Sequence, residues 1–166
     1  MTETTPRLDL PLIAAGQAQK EIVHNEALAI LEHLTLPVAE TIGDAAPPAD
    51  AAVGRSWIVG AAPIGAWTGQ AGAIACRTAG GWRFVTPVSG MALWVEAEGC
   101  WARFDGYAWE IGIVAARSIQ VAGQSVVRER QPGILAPAGG VMVDAEARAS
   151  LTAILETLRN HGLIER

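Results

Sequence analysis

The sequence predicts an α+β fold with an N-terminal helix, a small antiparallel tryptophan-rich β-meander as the body, and a C-terminal oligomerising helix. Three observations carry that reading. Residues 17–36 contain neither proline nor glycine and are rich in strong helix formers. Residues 80–110 hold four of the six tryptophans, in short runs where aromatic and β-branched residues alternate with polar or small ones. Gly80-Gly81, Glu98-Gly99 and Asp105-Gly106 break those runs as turn dipeptides. Near the end, Asp144 is placed to cap a helix on which Ala147, Leu151, Ile154 and Leu158 step by four, three and four, an a/d seam with Leu155 alongside.

Residues 1–42 form an arm and a docking helix. Leu8, Leu10, Leu12 and Ile13 make an extended apolar arm interrupted by Pro11, which needs a surface to lie against on its own body or on a neighbour. In the helix, Ile22, Glu26 and Ala29 share a face with Val23, Ile30 and Leu34 close by, so the apolar stripe is interrupted. Gln17, Gln19, Lys20, His24 and Asn25 cluster at its start, either as a docking set for a partner or as a solvated helix face.

Residues 43–54 read as a linker, with Pro47-Pro48 favouring an extended path. Residues 55–130 form the β domain. After Arg55 to Val59, a glycine-rich loop carries Trp67. A hairpin then joins Ile74–Thr78 to Trp82–Thr86, and Met91–Glu96, Cys100–Phe104 and Tyr107–Ile111 complete the meander. Alternation sets Trp101, Arg103 and Asp105 on one side and Cys100, Ala102 and Phe104 on the other. Another hairpin is predicted around Ala122-Gly123-Gln124. Residues 131–140 are a second linker, and 141–166 hold the C-terminal helix, closed by His161 and Gly162. A helix of about four turns is marginal alone in water, so its seam wants a partner, either the meander or identical helices in a bundle.

The bulk composition narrows the function. Hydrophobic residues make up 51%, much of it alanine, with two phenylalanines and one tyrosine beside the tryptophans, so core volume is modest and self-association would help folding. A net charge of −5, scattered arginines and a single lysine leave no basic stripe for nucleic acid. Cys76 and Cys100 lack metal-ligand spacing, and the three histidines lack companions, so no metal or other cofactor is expected. The first residues lack the basic region of a secretory signal, and no apolar run approaches the roughly 20 residues of a membrane span. The expected origin is therefore the cytoplasm.

No catalytic residues are expected. GxSxG, HExxH, CxxC and P-loop patterns are all missing from the sequence. Asp105 with Glu96, Glu98 or Glu110 suggests a glycosidase pair, but Asp before Gly already has a role as a turn residue. Aromatic rings suit the apolar faces of sugars. Trp67, Trp101, Tyr107 and Trp109 are thus the candidate glycan-binding residues, the competing role for each being to fill the core.

Leu8–Leu34, RSWIVG, GAWTGQAGAIA, GGWRFVTPVSGMALWV and FDGYAWE together resemble an uncharacterised domain in fibre and spike proteins of alphaproteobacterial phages, prophages and gene transfer agents. The resemblance covers roughly residues 8–110, and its most specific parts are residues 15–21, His24 to Ala27 and the Trp-punctuated meander. It implies a non-enzymatic virion component, assembled into a released particle, that joins a head spike or tail fibre to capsid or tail proteins as a homotrimer and assists attachment to the host surface. Direct binding of capsular polysaccharide is the alternative. The chain ends soon after the short helix, which favours a base or adaptor. The seam alone leaves two chains and three both open.

Overall fold

The computed structural model describes residues 4–13, 16, 20–127, 129–141 and 144–165. The chain divides into two compact units, Met1–Ile113 and Val114–Arg166. The predicted α+β class holds, with an N-terminal helix, mainly antiparallel sheets and a C-terminal helix.

The first unit is built on helix α1 (Lys20–Thr35) and strands β1 (Val38–Ala39), β2 (Ile42–Asp44), β3 (Ser56–Val59), β4 (Ile74–Thr78), β5 (Gly81–Val85), β6 (Ala92–Val95), β7 (Cys100–Phe104) and β8 (Trp109–Ile111). They form two four-stranded sheets, ordered β2-β3-β4-β5 and β1-β6-β7-β8. The sequence reading has a single meander and no strands between the helix and residue 55. In the structure β1 runs parallel to β6 and β2 parallel to β3, so the nine residues after α1 start both sheets. Strands of two and three residues are too short to show a period, which is why they escape a search for alternation.

The sheets share one core. Ala39, Ile58, Ile74, Cys76, Leu93, Val95 and Ala102 are all buried together, with Leu34 of α1 and Trp109 packed against them. β3 is buried along its whole length. Its other face, with Trp57 and Val59, packs on Ala75 and on Trp67, which the 3-10 turn Gly65–Trp67 inserts there. Trp57, Trp67 and Trp82 meet at centroid distances of 5.3 to 6.4 Å in tilted and edge-on contacts, the arrangements that aromatic quadrupoles favour.

Turn chemistry follows the sequence in part. Thr78 pairs with Gly81, so Ala79-Gly80 closes the β4–β5 hairpin. Asp105-Gly106 does not close a two-residue turn, because Phe104 pairs with Trp109 across a four-residue loop. Asp105 instead accepts hydrogen bonds from the amides of Tyr107 (2.7 Å) and Ala108 (2.8 Å). Those donors hold its carboxyl below the usual range.

The second unit contains β9 (Ile119–Val121), β10 (Gln124–Val127) and α2 (Ala145–Asn160). Ala122 and Gly123 both have positive φ, the signature of a type I′ hairpin turn. Asp144 caps α2 by accepting from the Ala147 amide at 2.8 Å, and Gly162, at φ +72°, follows its end. Leu155 and Ile164 are the only buried hydrophobic residues among those described in this unit.

Candidate functional site

The second sheet turns a chemically distinctive face outward. Its buried side carries Leu93, Val95 and Ala102. Strand alternation then sends Trp94, Trp101 and Arg103 the other way. Cross-strand pairing aligns Val38, Trp94 and Trp101 in one row, and Ala92, Arg103 and Glu110 in the next. The Trp94 and Trp101 rings meet edge to face, 5.8 Å between centroids and 79° between planes. Trp101 is 49% exposed. Beside it Arg103 and Glu110 form an ion pair, each about one-third exposed. The result is one half-exposed indole, Trp101, braced edge to face by Trp94 and flanked by a planar donor and a planar acceptor, the groups needed to stack a ring and bind its hydroxyls.

This geometry separates the four glycan candidates. Trp101 lies on the platform, and Tyr107 stands at the exposed tip of the β7–β8 loop. Trp67 and Trp109 do not belong to it. Trp67 is 0% exposed in the tryptophan cluster and presents no ring to solvent. Trp109 lies on the opposite sheet face against Phe104, and its indole N–H donates to the Gly72 carbonyl at 2.8 Å. Both fill space in a core poor in large residues. The sequence reading omitted Trp94, Arg103 and Glu110 from the candidate set. Pairing the predicted strands 91–96 and 100–104 across residues 97–99 would set Trp94 against Ala102; the observed register, with Val95 opposite Cys100, sets it against Trp101 instead.

The docking set is divided as well. Lys20 and His24 are exposed at the start of α1. The Asn25 side chain is occupied within the chain, accepting from the Ile13 amide (2.9 Å) and donating to its carbonyl (3.0 Å). Gln17 and Gln19 lie outside the described residues. Asn25 therefore fastens the arm to α1.

Glu32 does the same further along. It is buried, and one of its oxygens accepts from the amides of Arg7 (2.9 Å) and Leu8 (2.6 Å). Burial pushes its carboxyl up, but the Thr5 hydroxyl, these amides and His33 outweigh it, leaving the pKa below the usual range. Next to it, buried His33 sits 2.6 Å from the Ser56 hydroxyl through Nδ1. Burial, then the Arg7 charge, lower its pKa to about 4 against an opposing effect of Glu32, so the imidazole is neutral at pH 7. Ser56 is itself buried between α1 and β4, a position that suits a structural hydrogen bond. Arm, α1 and the β4–β5 turn together border a groove of about 310 Å³ with Leu12, Ile22 and Ala29 on its walls.

In the second unit the predicted seam is uncovered. Leu151 is 50% and Ile154 55% exposed, Ala147 is exposed, Leu158 half-buried, and Leu155 buried. Cys76 and Cys100 are free thiols, and burial pushes Cys76 up to about 11. Among the described residues no His, Cys, Asp and Glu side chains gather into a metal-binding group, and no helix is long and apolar enough to cross a membrane.

No curated protein matches the sequence. The family described as protein of unknown function DUF2793 matches residues 24–110, from α1 to the Arg103–Glu110 pair. That is more than half of the 166 residues, and the chain belongs to this family.

Proposed function

We propose that the protein is a homotrimeric structural component of a phage-like or gene transfer particle, the base or adaptor of a head spike or tail fibre that assists attachment to the host cell surface. In this reading it has no catalytic role, is made in the cytoplasm and leaves the cell within the particle. One observation carries the self-association: Leu151 and Ile154 are at least half exposed on α2, in a unit with two buried hydrophobic residues among those described. A segment of this size with so little core gains its stability from neighbours. Likeness of residues 8–110 to fibre and spike domains supports the particle assignment, and the exposed Lys20 and His24 suit the docking end.

Light scattering on the purified chain tests the reading. A trimer that falls to monomer in Ile154→Asp supports it, since the variant places a charge in the seam. A wild-type monomer at all concentrations overturns it.

The Trp94–Trp101 platform favours a second reading, direct contact with capsular polysaccharide. Trp101→Ala then weakens binding to a capsule preparation about tenfold, or about 1.4 kcal/mol, without changing the mass of the assembly. Unchanged binding removes this reading and leaves the adaptor intact.

A further inference from the structure

The N-terminal arm is fastened to the first unit by side chains instead of a sheet. Residues 4–11 hold their own shape: Thr4 bridges Pro11, the Thr5 amide donates to the Leu10 carbonyl (3.0 Å), and the Leu10 amide donates to the Thr5 hydroxyl (3.1 Å). Among the described residues, the arm's hydrogen bonds to the rest of the unit all run to two side chains of α1, Glu32 at the Arg7 and Leu8 amides and Asn25 at Ile13. No described arm residue belongs to either hydrophobic cluster of the sheets. Beneath the arm the packing is incomplete, since Thr4, Thr5, Pro6 and Leu12 border the groove of about 310 Å³. A segment joined to a folded body by few contacts opens separately from it.

The same clasp is a titrating cluster. Glu32 meets the Arg7 and Leu8 amides and the Thr5 hydroxyl on the arm, and His33 on its own helix. His33 meets the Arg7 charge on the arm, Glu32 on α1 and the Ser56 hydroxyl of β3, behind which lies Cys76 of β4, a thiol that burial keeps neutral. Glu26 and Arg77 also border the groove, but Glu26 pairs with Arg83 and Arg77 lies over the Trp82 ring. A proton on Glu32 removes the charged acceptor of two amides. A proton on His33 puts a second positive charge beside Arg7 in a buried site. Both loosen the arm. With the arm away, His33 is hydrated and free of Arg7, and its pKa returns from about 4 toward 6.5. The open form therefore binds more protons, and acid favours it. Glu32, whose pKa is lowered while the arm is on, acts with the same sign. We propose that residues 4–13 are an acid-released latch: protonation of the Glu32/His33 cluster frees the arm from α1 and opens the groove while both sheets stay folded.

Hydrogen exchange separates release from unfolding. The full chain is labelled at pH 7, 5 and 4, with rates corrected for the intrinsic effect of pH, and near-UV circular dichroism of the tryptophans is recorded on the same samples. The expected result is that protection of residues 7–13 falls at least about tenfold between pH 7 and pH 4, while β4, β7 and the tryptophan signal hold. Glu32→Gln releases the arm already at pH 7, and His33→Gln shrinks the fall. Arm protection unchanged at pH 4 overturns the latch. So does loss of protection in arm and sheets together, which is unfolding of the whole unit. A fall as large as the wild type's in both variants overturns the assignment to this cluster. Should Glu32→Gln fail to fold, the wild-type series and His33→Gln decide between the same outcomes.

Discussion

At the scale of residues, α1 buries the side chains that its sequence pattern does not select. Glu32 and His33 are buried, whereas Ile22, Val23 and Leu31 are exposed. The reason is the arm: its amides give Glu32 hydrogen bonds that offset the cost of desolvation. Folding with a His33 pKa near 4 against 6.5 in the open chain has a definite pH signature. Between those values the unfolded state binds more protons, so stability falls as pH drops below 6.5 and stops changing from this source near 4. The full effect is on the order of 3 kcal/mol. Glu32, whose folded pKa is lowered, adds a loss at still lower pH, as its carboxylate is titrated. Urea unfolding at pH 7 and pH 5 measures the slope, and His33→Gln, which keeps a polar side chain toward Ser56 without titrating, flattens it. An equal slope in that variant would remove His33 as the source. Glu32→Gln loses the charged acceptor and costs about 2 kcal/mol, with faster hydrogen exchange at the Arg7 and Leu8 amides as its local readout.

At the scale of elements, the parts legible in the sequence are those with a period or a cap. The β4–β5 hairpin, β6, β7, the β9–β10 hairpin and α2 with its Asp144 cap stand where alternation, turn residues and capping chemistry put them. β1 and β2 were not legible, because two or three residues cannot declare a strand and their parallel partners lie far along the chain. The Trp94–Trp101 face was half legible: alternation sets Trp101 beside Arg103, but only the register shows that Trp94 and Glu110 complete the surface and that Trp109 turns inward. A tertiary requirement of the same kind fixes Gly60. A Cβ there would meet the Gly43 carbonyl oxygen at 2.2 Å, a backbone atom that cannot swing away. Gly60→Ala therefore forces β2 away from the end of β3 and costs roughly 1–3 kcal/mol, measurable as a lower urea midpoint with unchanged m-value. Gly60 is not in the left-handed region, so its loss reads the close approach rather than backbone strain, and an unchanged urea midpoint in Gly60→Ala would mean that the approach is relieved at little cost.

At the scale of the whole molecule, the two units differ in what can hold them together. The first has two sheets on a common core and a second cluster of tryptophans, enough to be stable without help. The second exposes Ile119, Val121, Leu151 and Ile154 and buries little among its described residues. If its stability comes from copies packing together, that stability depends on protein concentration by mass action, because dissociation and unfolding become one event. Calorimetry should then resolve two transitions. The first unit melts at a temperature independent of concentration. The second melts at a temperature that rises with concentration, and in Ile154→Asp this transition is lost or moved far down while the other stays in place. The comparison needs no knowledge of the partner on the particle or of any glycan, because it reads the coupling between association and folding directly. A single transition indifferent to concentration would mean that the second unit is stabilised within one chain, and the exposed α2 seam would then need another explanation.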